Sequence, residues 1–413
     1  MGCIKFRFPF AEAFLFITLF CLLMNKKAIG KIISGSVKKP PLVLIHGMKG
    51  SHLQKRKAED SQRDLERAWL TTPGLLSLET PELSLPLDWS GNTQLCDDLE
   101  VGSTIDSVKV RLTKNLKLDL VPIYGPFMQQ ALLSDRDFFT FEWDWRRDLG
   151  EATVLLEDFL MKLSAKYDGQ SVQVVAHSMG GLITLPIVNK KPELFAGIIF
   201  AGVPFGTGIN YLTDIHTGYT AGFNKRMFAP HVLATFASHW IFFPENSKES
   251  DIVDVGTGEM LPFDFYTVQD WEKYSLGIFN PSQYPTVDKE RYRNHLQNAL
   301  NRAKLFRRKL VCKPDLKYPP IAVVSGNQHA TVNQVLVSRD GSNNLSWDFL
   351  NGRAVEGDGR IDFAKSFPPE GIPYEAIASS AKHVNLLNED ISDLWQVIED
   401  QAKITTERKV LIV

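Results

Sequence analysis

Cysteine is scarce. The 413-residue chain holds four, and Cys3 and Cys21 fall in the first thirty residues, leaving Cys96 and Cys312 for the rest. That excludes a small disulfide-built scaffold; the two later cysteines are either one bridge or two free thiols, and the sequence leaves both open. No spacing of Cys and His suits a metal ion, so no metal or other cofactor is called for. Neither sign of charge dominates: 46 Lys and Arg face 48 Asp and Glu for a formal net charge of -2. With no long basic or acidic block, nucleic acid is not an expected partner and general attraction to anionic membranes is not encoded. Long apolar runs are also missing. The uncharged part of the first apolar stretch, Ala13 to Met24, falls short of the ~20 residues a spanning helix needs.

What surrounds that stretch has its own meaning. Lys5 and Arg7 precede Phe8 to Met24, and Asn25, Lys26, Lys27, Ala28, Ile29 and Gly30 follow. A basic start, a short apolar core and small residues at Ala28 and Gly30 read as a secretory signal peptide cut after Gly30, with an uncleaved signal anchor as the alternative. Either one places the protein in the secretory pathway. Phe6 stands where a myristoylation motif wants Ser or Thr, which argues against lipidation. The remainder, 31–413, has the composition of an ordinary globular protein and reads as one catalytic domain with insertions.

The most informative stretch is Val172 to Gly181, V-Q-V-V-A-H-S-M-G-G. Its β-branched run reads as a buried strand, and Leu182, Ile183 and Leu185 then fall at near-helical spacing. Strand, sharp turn and helix with a serine at the apex form a nucleophile elbow, and Ser178 is the candidate nucleophile. Ala176 stands where the usual pattern has its first glycine; Gly180 keeps the last.

The rest of the chain alternates in the same way. Pro40 to Ile45 reads as a buried strand entering the loop His46-Gly47-Met48-Lys49-Gly50-Ser51, whose backbone suits an oxyanion hole: Met48 supplies one N–H and Met179 the other. His46 reads as a structural loop histidine. Phe138 to Phe141 is a strand, Leu155, Leu156, Phe159, Leu160 and Leu163 mark an amphipathic helix, and Gly197 to Ala201 and the segment Tyr318 to Gly326 are further strands. The class this implies is α/β, a mostly parallel central sheet with its site at the carboxyl ends of the strands. Two stretches break the alternation: a lid-like insertion at about 49–115 and a cap-like insertion at about 211–315. The second carries aromatic clusters at Phe236 to Phe243 and Phe263 to Trp271 and a basic helix from Lys289 to Lys309, read as a solvated face.

A serine needs a base, and the base needs a carboxylate. In this class of sheet the chain order is Ser, acid, His. Asp358 lies between two glycines in E-G-D-G-R, and His383 lies in K-H-V-N-L-L just before a closing helix. Glu356 and Asp362 compete for the acid, and His329 for the base, but His329 breaks the order.

Together the H-G-M-K-G-S-H-L loop, the aromatic-D-W-R run ending at Arg146, A-H-S-M-G-G, G-V-P-F-G-T-G, E-G-D-G-R and K-H-V-N-L-L resemble the lecithin:cholesterol acyltransferase family, which includes lysosomal phospholipases. The resemblance runs from about Pro40 to the end. It implies an α/β-hydrolase fold, with lid-like and cap-like insertions, and lipid ester chemistry through an acyl-serine, with Ser178, Asp358 and His383 as triad and Met48 and Met179 as oxyanion hole. It also places Trp69 and Cys96 in the family's lid, without the disulfide many members have there. The expected partner is a lipid ester presented by a membrane or lipoprotein surface. Two other functions share these residues: a carboxylesterase or GPI-inositol deacylase-like hydrolase, and a non-catalytic lipid-binding protein on the same fold.

Overall fold

Four short segments that are buried throughout, with a less buried one at each edge, pair into one sheet. In the computed structural model, which describes residues 39–55, 66–88, 97–111, 117–280, 288–342, 344–389 and 391–410, these are β1 (Leu42–Ile45), β2 (Phe138–Phe141), β3 (Val172–His177), β4 (Phe195–Ala201), β5 (Ile321–Gly326) and β6 (Glu375–Ser379). Their spatial order is β6-β5-β4-β3-β1-β2, and every pairing is parallel. The order reverses beside β1 and β3, and at such a point loops from neighbouring strands diverge and leave room for a site. The N-terminal leader, the strongest localisation signal in the sequence, lies outside the described residues. Among the described residues no helix is long and apolar enough to cross a membrane.

Helices α1 (Gly125–Leu133), α2 (Leu149–Lys166), α3 (Met179–Val188), α4 (Asn210–Thr217), α5 (Lys289–Arg307) and α6 (Ile391–Val410) complete the frame with shorter turns. Helix α2 starts where the Asp148 carboxylate accepts from the N–H groups of Gly150 and Glu151, satisfying donors that a helix start leaves open. Its buried stripe is Leu149, Ala152, Leu156, Leu160 and Leu163. Leu155, read from the sequence as part of that stripe, is instead 60 % exposed: one residue before Leu156, it sits about 100° around the helix from the seam. Helix α3 is buried nearly all round, which explains why its sequence shows little amphipathic rhythm.

The segment after β1 forms a three-stranded antiparallel sheet from Ser51–Lys55, Arg67–Trp69 and Leu99–Thr104. Trp69, Leu83 and Leu85 from this region are buried, whereas Leu76 and Leu78 are exposed. The buried Arg146 at the end of the aromatic run pairs with Asp144 at 2.7 Å and Asp97 at 2.6 Å and donates to the Leu83 carbonyl. It therefore ties this segment to the end of β2. Between α4 and β5 the aromatic clusters pack on each other, Phe243 stacking on Phe265 at 4.5 Å and Trp271 meeting Trp240 edge-on at 5.1 Å. Helix α5 buries His295, Leu296, Ala299, Leu300, Ala303 and Phe306, so it has a packed face as well as the solvated basic one. Arg307 on it donates to the carbonyls of Ile241 and Phe205. Cys312 carries a free thiol; Cys96 lies outside the described residues.

Candidate active site

Ser178 follows β3 directly and opens α3 with φ 53° and ψ −127°. A non-glycine residue in that region costs about 1–3 kcal/mol, and it persists because its surroundings fix it. The Ser178 N–H donates to the Ala201 carbonyl at 2.8 Å, and its carbonyl accepts from Gly181 at 3.0 Å. Gly180 is required by contact: a Cβ there would lie 2.7 Å from the carbonyl oxygens of Ile45 and His46. The same crowding holds on the facing loop, where a Cβ on Gly47 would lie 2.7 Å from the Ser178 Cβ. The loop after β1 thus lies against the elbow with no side chain between them.

The three residues widely separated in sequence meet here. His383 Nε2 is 2.9 Å from Ser178 Oγ, and its Nδ1 is 2.7 Å from Asp358 Oδ2. The other carboxylate oxygen, Oδ1, accepts from the N–H groups of Arg360 at 2.8 Å and Ile361 at 2.6 Å, and the His383 N–H donates to the Asp358 carbonyl at 3.0 Å. Burial of Asp358 pushes its carboxyl up. The charge and hydrogen bond of His383, with the two backbone donors, outweigh that and hold it below the usual carboxylate value. The N–H groups of Met48 and Met179 have no hydrogen-bond partner among the described residues; for Met179, in the first turn of α3, that is the normal condition of a helix start.

The competing candidates lie elsewhere. His329 Nε2 meets the Ser380 carbonyl at 2.9 Å. Asp362 caps a short helical turn through the Ala364 N–H, and Glu356 sits in a strand paired with His329–Val332. His46 is buried and stacked on Trp143 at 5.6 Å. Its Nδ1–H donates to the Gly47 carbonyl and its Nε2 accepts from the Trp143 N–H, and burial lowers its pKa to about 4. It is a neutral structural histidine.

Two residues at this site carry no role in the sequence reading. Gly47 N–H donates to Tyr124 Oη at 3.0 Å; Tyr124 donates to His177 Nδ1 at 2.9 Å; and His177 Nε2 meets the His383 carbonyl at 2.9 Å. A carbonyl only accepts, so Nε2 bears the proton and Nδ1 receives the tyrosine's. Burial drives the His177 pKa down to about 3, with the nearby His383 charge also opposing protonation, so the tautomer stays single and neutral. The chain of bonds fixes the loop after β1 and the backbone of His383 to the same buried pair. His177 was visible beside Ser178, but its partners are 53 and 206 positions away, and no local pattern announces such a bond.

An all-parallel sheet in this order, with Ser178 at the turn after β3, is the α/β-hydrolase fold. Comparison with known proteins makes it more particular: the model of the lecithin:cholesterol acyltransferase family matches residues 130–307, so the resemblance carried by the motifs is shown over the part of the chain that holds Ser178. The uncharacterized protein YJR098C of Saccharomyces cerevisiae is 25% identical over 314 residues, which are 60% of this chain and 46% of the yeast protein. The chain thus spans about half the length of that curated relative. Among solved structures, the Tle4-Tli4 complex contains a chain with a TM-score of 0.55 at 12% identity, over 89% of this chain and 98% of that one, a likeness of fold alone. The mature lipase BlEst2 of Bacillus licheniformis superposes at a TM-score of 0.33 and 13% identity, over 89% and 93% of the two chains.

Proposed function

We propose that this protein is a serine-dependent lipid ester hydrolase or O-acyltransferase of the secretory pathway, working through an acyl-serine. The observation that carries the proposal is the 2.9 Å contact between His383 Nε2 and Ser178 Oγ, with Asp358 behind the imidazole at 2.7 Å. In this reading His383 removes the hydroxyl proton as Oγ attacks the ester carbonyl. The carbonyl electrons move onto oxygen, facing the N–H groups of Met48 and Met179, and Asp358 stabilises the imidazolium. Collapse breaks the bond to the alcohol, which leaves with the proton from His383. Water or a second alcohol then repeats the sequence on the acyl-serine. The family match supports lipid esters as the substrate class. The direct test is mass-spectrometric product analysis after incubation with phospholipid vesicles containing sterol: free fatty acid marks hydrolysis, a new ester marks transfer, and neither product overturns the lipid reading.

The Tyr124–His177 pair serves this chemistry by positioning. Tyr124→Phe leaves the Gly47 N–H and His177 Nδ1 unpaired in a buried place, a loss of about 1–3 kcal/mol. Because the pair supports both the oxyanion loop and His383, the expected result is a kcat about tenfold or more lower with KM little changed, measured on a dissolved short-chain ester.

An apolar surface beside the same loop supports presentation by a lipid surface. Leu78 and Phe223 are 74% and 77% exposed, and the Phe223 N–H donates to the Leu75 carbonyl, so the two segments adjoin. Tyr219 on the same hairpin, Tyr219–Ala221 with Asn224–Phe228, lies against Lys49. Replacing Leu78 and Phe223 together by Glu is expected to lower activity on vesicle substrate by about tenfold or more, since two apolar anchors are lost. Activity on a dissolved short-chain ester should change far less; equal loss on both substrates would refute the interfacial role.

A further inference from the structure

The G-V-P-F-G-T-G loop after β4 has no part in the mechanism above, yet its first glycine faces two members of the triad. Gly202 directly follows Ala201, the end of β4, with φ 55°, in the left-handed region that favours glycine. Its N–H donates to the Val324 carbonyl of β5 at 2.9 Å. A Cβ on Gly202 would lie 3.0 Å from His383 Nδ1 and 3.2 Å from Asp358 Oδ2, the two atoms joined by the 2.7 Å hydrogen bond, and 2.5 Å from Leu386 Cδ1. Gly326 ends β5, the strand paired with β4, and a Cβ there would lie 2.7 Å from the Asp358 Cβ and 3.1 Å from its Cα. Asp358 does not follow β5 directly: the chain first makes a ribbon of His329–Val332 with Ala354–Gly357, which returns the acid to the strand end. The Gly359 N–H, donating to Thr331 Oγ1 at 3.0 Å, ties the turn to that ribbon. Two neighbouring parallel strands thus present bare glycine faces where the acid and the imidazole meet.

We infer that Gly202 and Gly326 are positioning residues, two walls of a slot that sets the approach of His383 to Asp358. The inference rests on the ester chemistry proposed above. A carboxylate oxygen only accepts, so Nδ1 carries the proton of this bond. Non-bonded carbon contacts are comfortable at about 3.5–4.0 Å, so a methyl at Gly202 presses on donor and acceptor at once. The carboxylate has little room to retreat, because Oδ1 is held by the N–H groups of Arg360 and Ile361 and its Cα lies against Gly326. The imidazole is what yields, and as it moves its Nε2 leaves Ser178 Oγ. A displacement of about 1 Å costs on the order of a hundredfold in rate.

The test asks whether Gly202 acts through the Asp358–His383 bond. Labelling of Ser178 by a fluorophosphonate is followed in Gly202→Ala, in Asp358→Asn and in the two together. The expected result is labelling slowed about a hundredfold by Gly202→Ala alone, but by less than about threefold when Asp358→Asn is already present, since residues that act as a unit do not add. Equal slowing in both backgrounds, or none in either, overturns the inference. Gly197→Ala is the control at the other end of β4: its Cβ would lie 2.5 Å from Gln401 Oε1, so it should lower the melting temperature and leave the labelling rate within about threefold. Should Gly202→Ala not fold, adding Leu386→Val removes the methyl that the new Cβ strikes first and keeps its contacts with His383 and Asp358. Folding should then return without the rate, and a rate that returns with it refutes the slot. The downfield proton resonance of the Nδ1–H bond is read with neither substrate nor probe: it should persist in Gly197→Ala and be lost or move upfield in Gly202→Ala, and an unchanged resonance in Gly202→Ala overturns the inference. A parent chain whose Ser178 takes no label overturns the ester chemistry, and the resonance still decides the slot.

Discussion

Ser178→Ala is expected to lower kcat on any ester the protein cleaves by about 10⁶-fold, the scale seen when the nucleophile of a cooperating triad is removed. The loss is that large because the other residues act only through the hydroxyl. His383 has no proton to take, and the ordered carboxylate behind it has no charge to stabilise. The fold should survive, since the elbow is held by backbone bonds from Ser178 to Ala201 and from Gly181 to Ser178, and alanine fills the same volume. Circular dichroism and thermal melting close to those of the unchanged protein, with kinetics at the detection limit, make up the expected result. Residual activity within a hundredfold would mean that another group attacks the carbonyl.

The second largest effect belongs to Asp358→Asn, expected to lower kcat by about 10⁴-fold. The amide oxygen still accepts from the backbone of Arg360 and Ile361, so the loop keeps its shape, but the amide nitrogen then faces His383 Nδ1. That nitrogen donates, so Nδ1 must become the acceptor and the ring proton moves to Nε2, where it blocks removal of the Ser178 proton. Glu356→Gln and Asp362→Asn, on residues that meet neither histidine nitrogen, should stay within severalfold of the parent. The acid end of the stability profile carries the same signature. Because the native Asp358 carboxyl titrates below its ordinary value of about 3.8, its stabilisation is complete above that value and is lost as pH falls through the lower native one. Asp358→Asn removes this component, which is read by comparing melting temperatures at neutral and acid pH.

How much of this was legible in the sequence depends on whether a residue's partners are local. The elbow was readable because strand, turn and helix are contiguous, and chain order then narrowed the acid and base to Asp358 and His383, which the structure brings together with Ser178. The strand at Phe138–Phe141 was readable because aromatic and β-branched residues, F-F-T-F, suit a strand, and it takes the edge of the sheet with Phe141 buried. Leu155 was misplaced because leucine spacing does not specify which side of the helix meets the sheet. Tyr124 and His177 are evident in the sequence as residues but not as a pair, since their bonds join β3, the turn before α1 and the loop after β6. Lys49 belongs to a loop motif in the sequence, and only folding shows the rings of Tyr219 and Phe228 against it. The two insertions show the limit most clearly. Their aromatic residues were visible, but which ones form an internal core, as Phe243, Phe265 and Trp271 do, and which face solvent, as Phe223 does, is decided by packing and not by composition.

The measurement that bears most directly on the proposed mechanism is the rate at which a fluorophosphonate labels Ser178, followed by peptide mass spectrometry in the unchanged protein, in Ser178→Ala and in His383→Ala. The account predicts a phosphonylated peptide containing Ser178, no label in Ser178→Ala, and labelling slowed by about a hundredfold or more in His383→Ala, because the hydroxyl is then without its base. A label on another residue, or labelling of Ser178 at an unchanged rate without the imidazole, would contradict it.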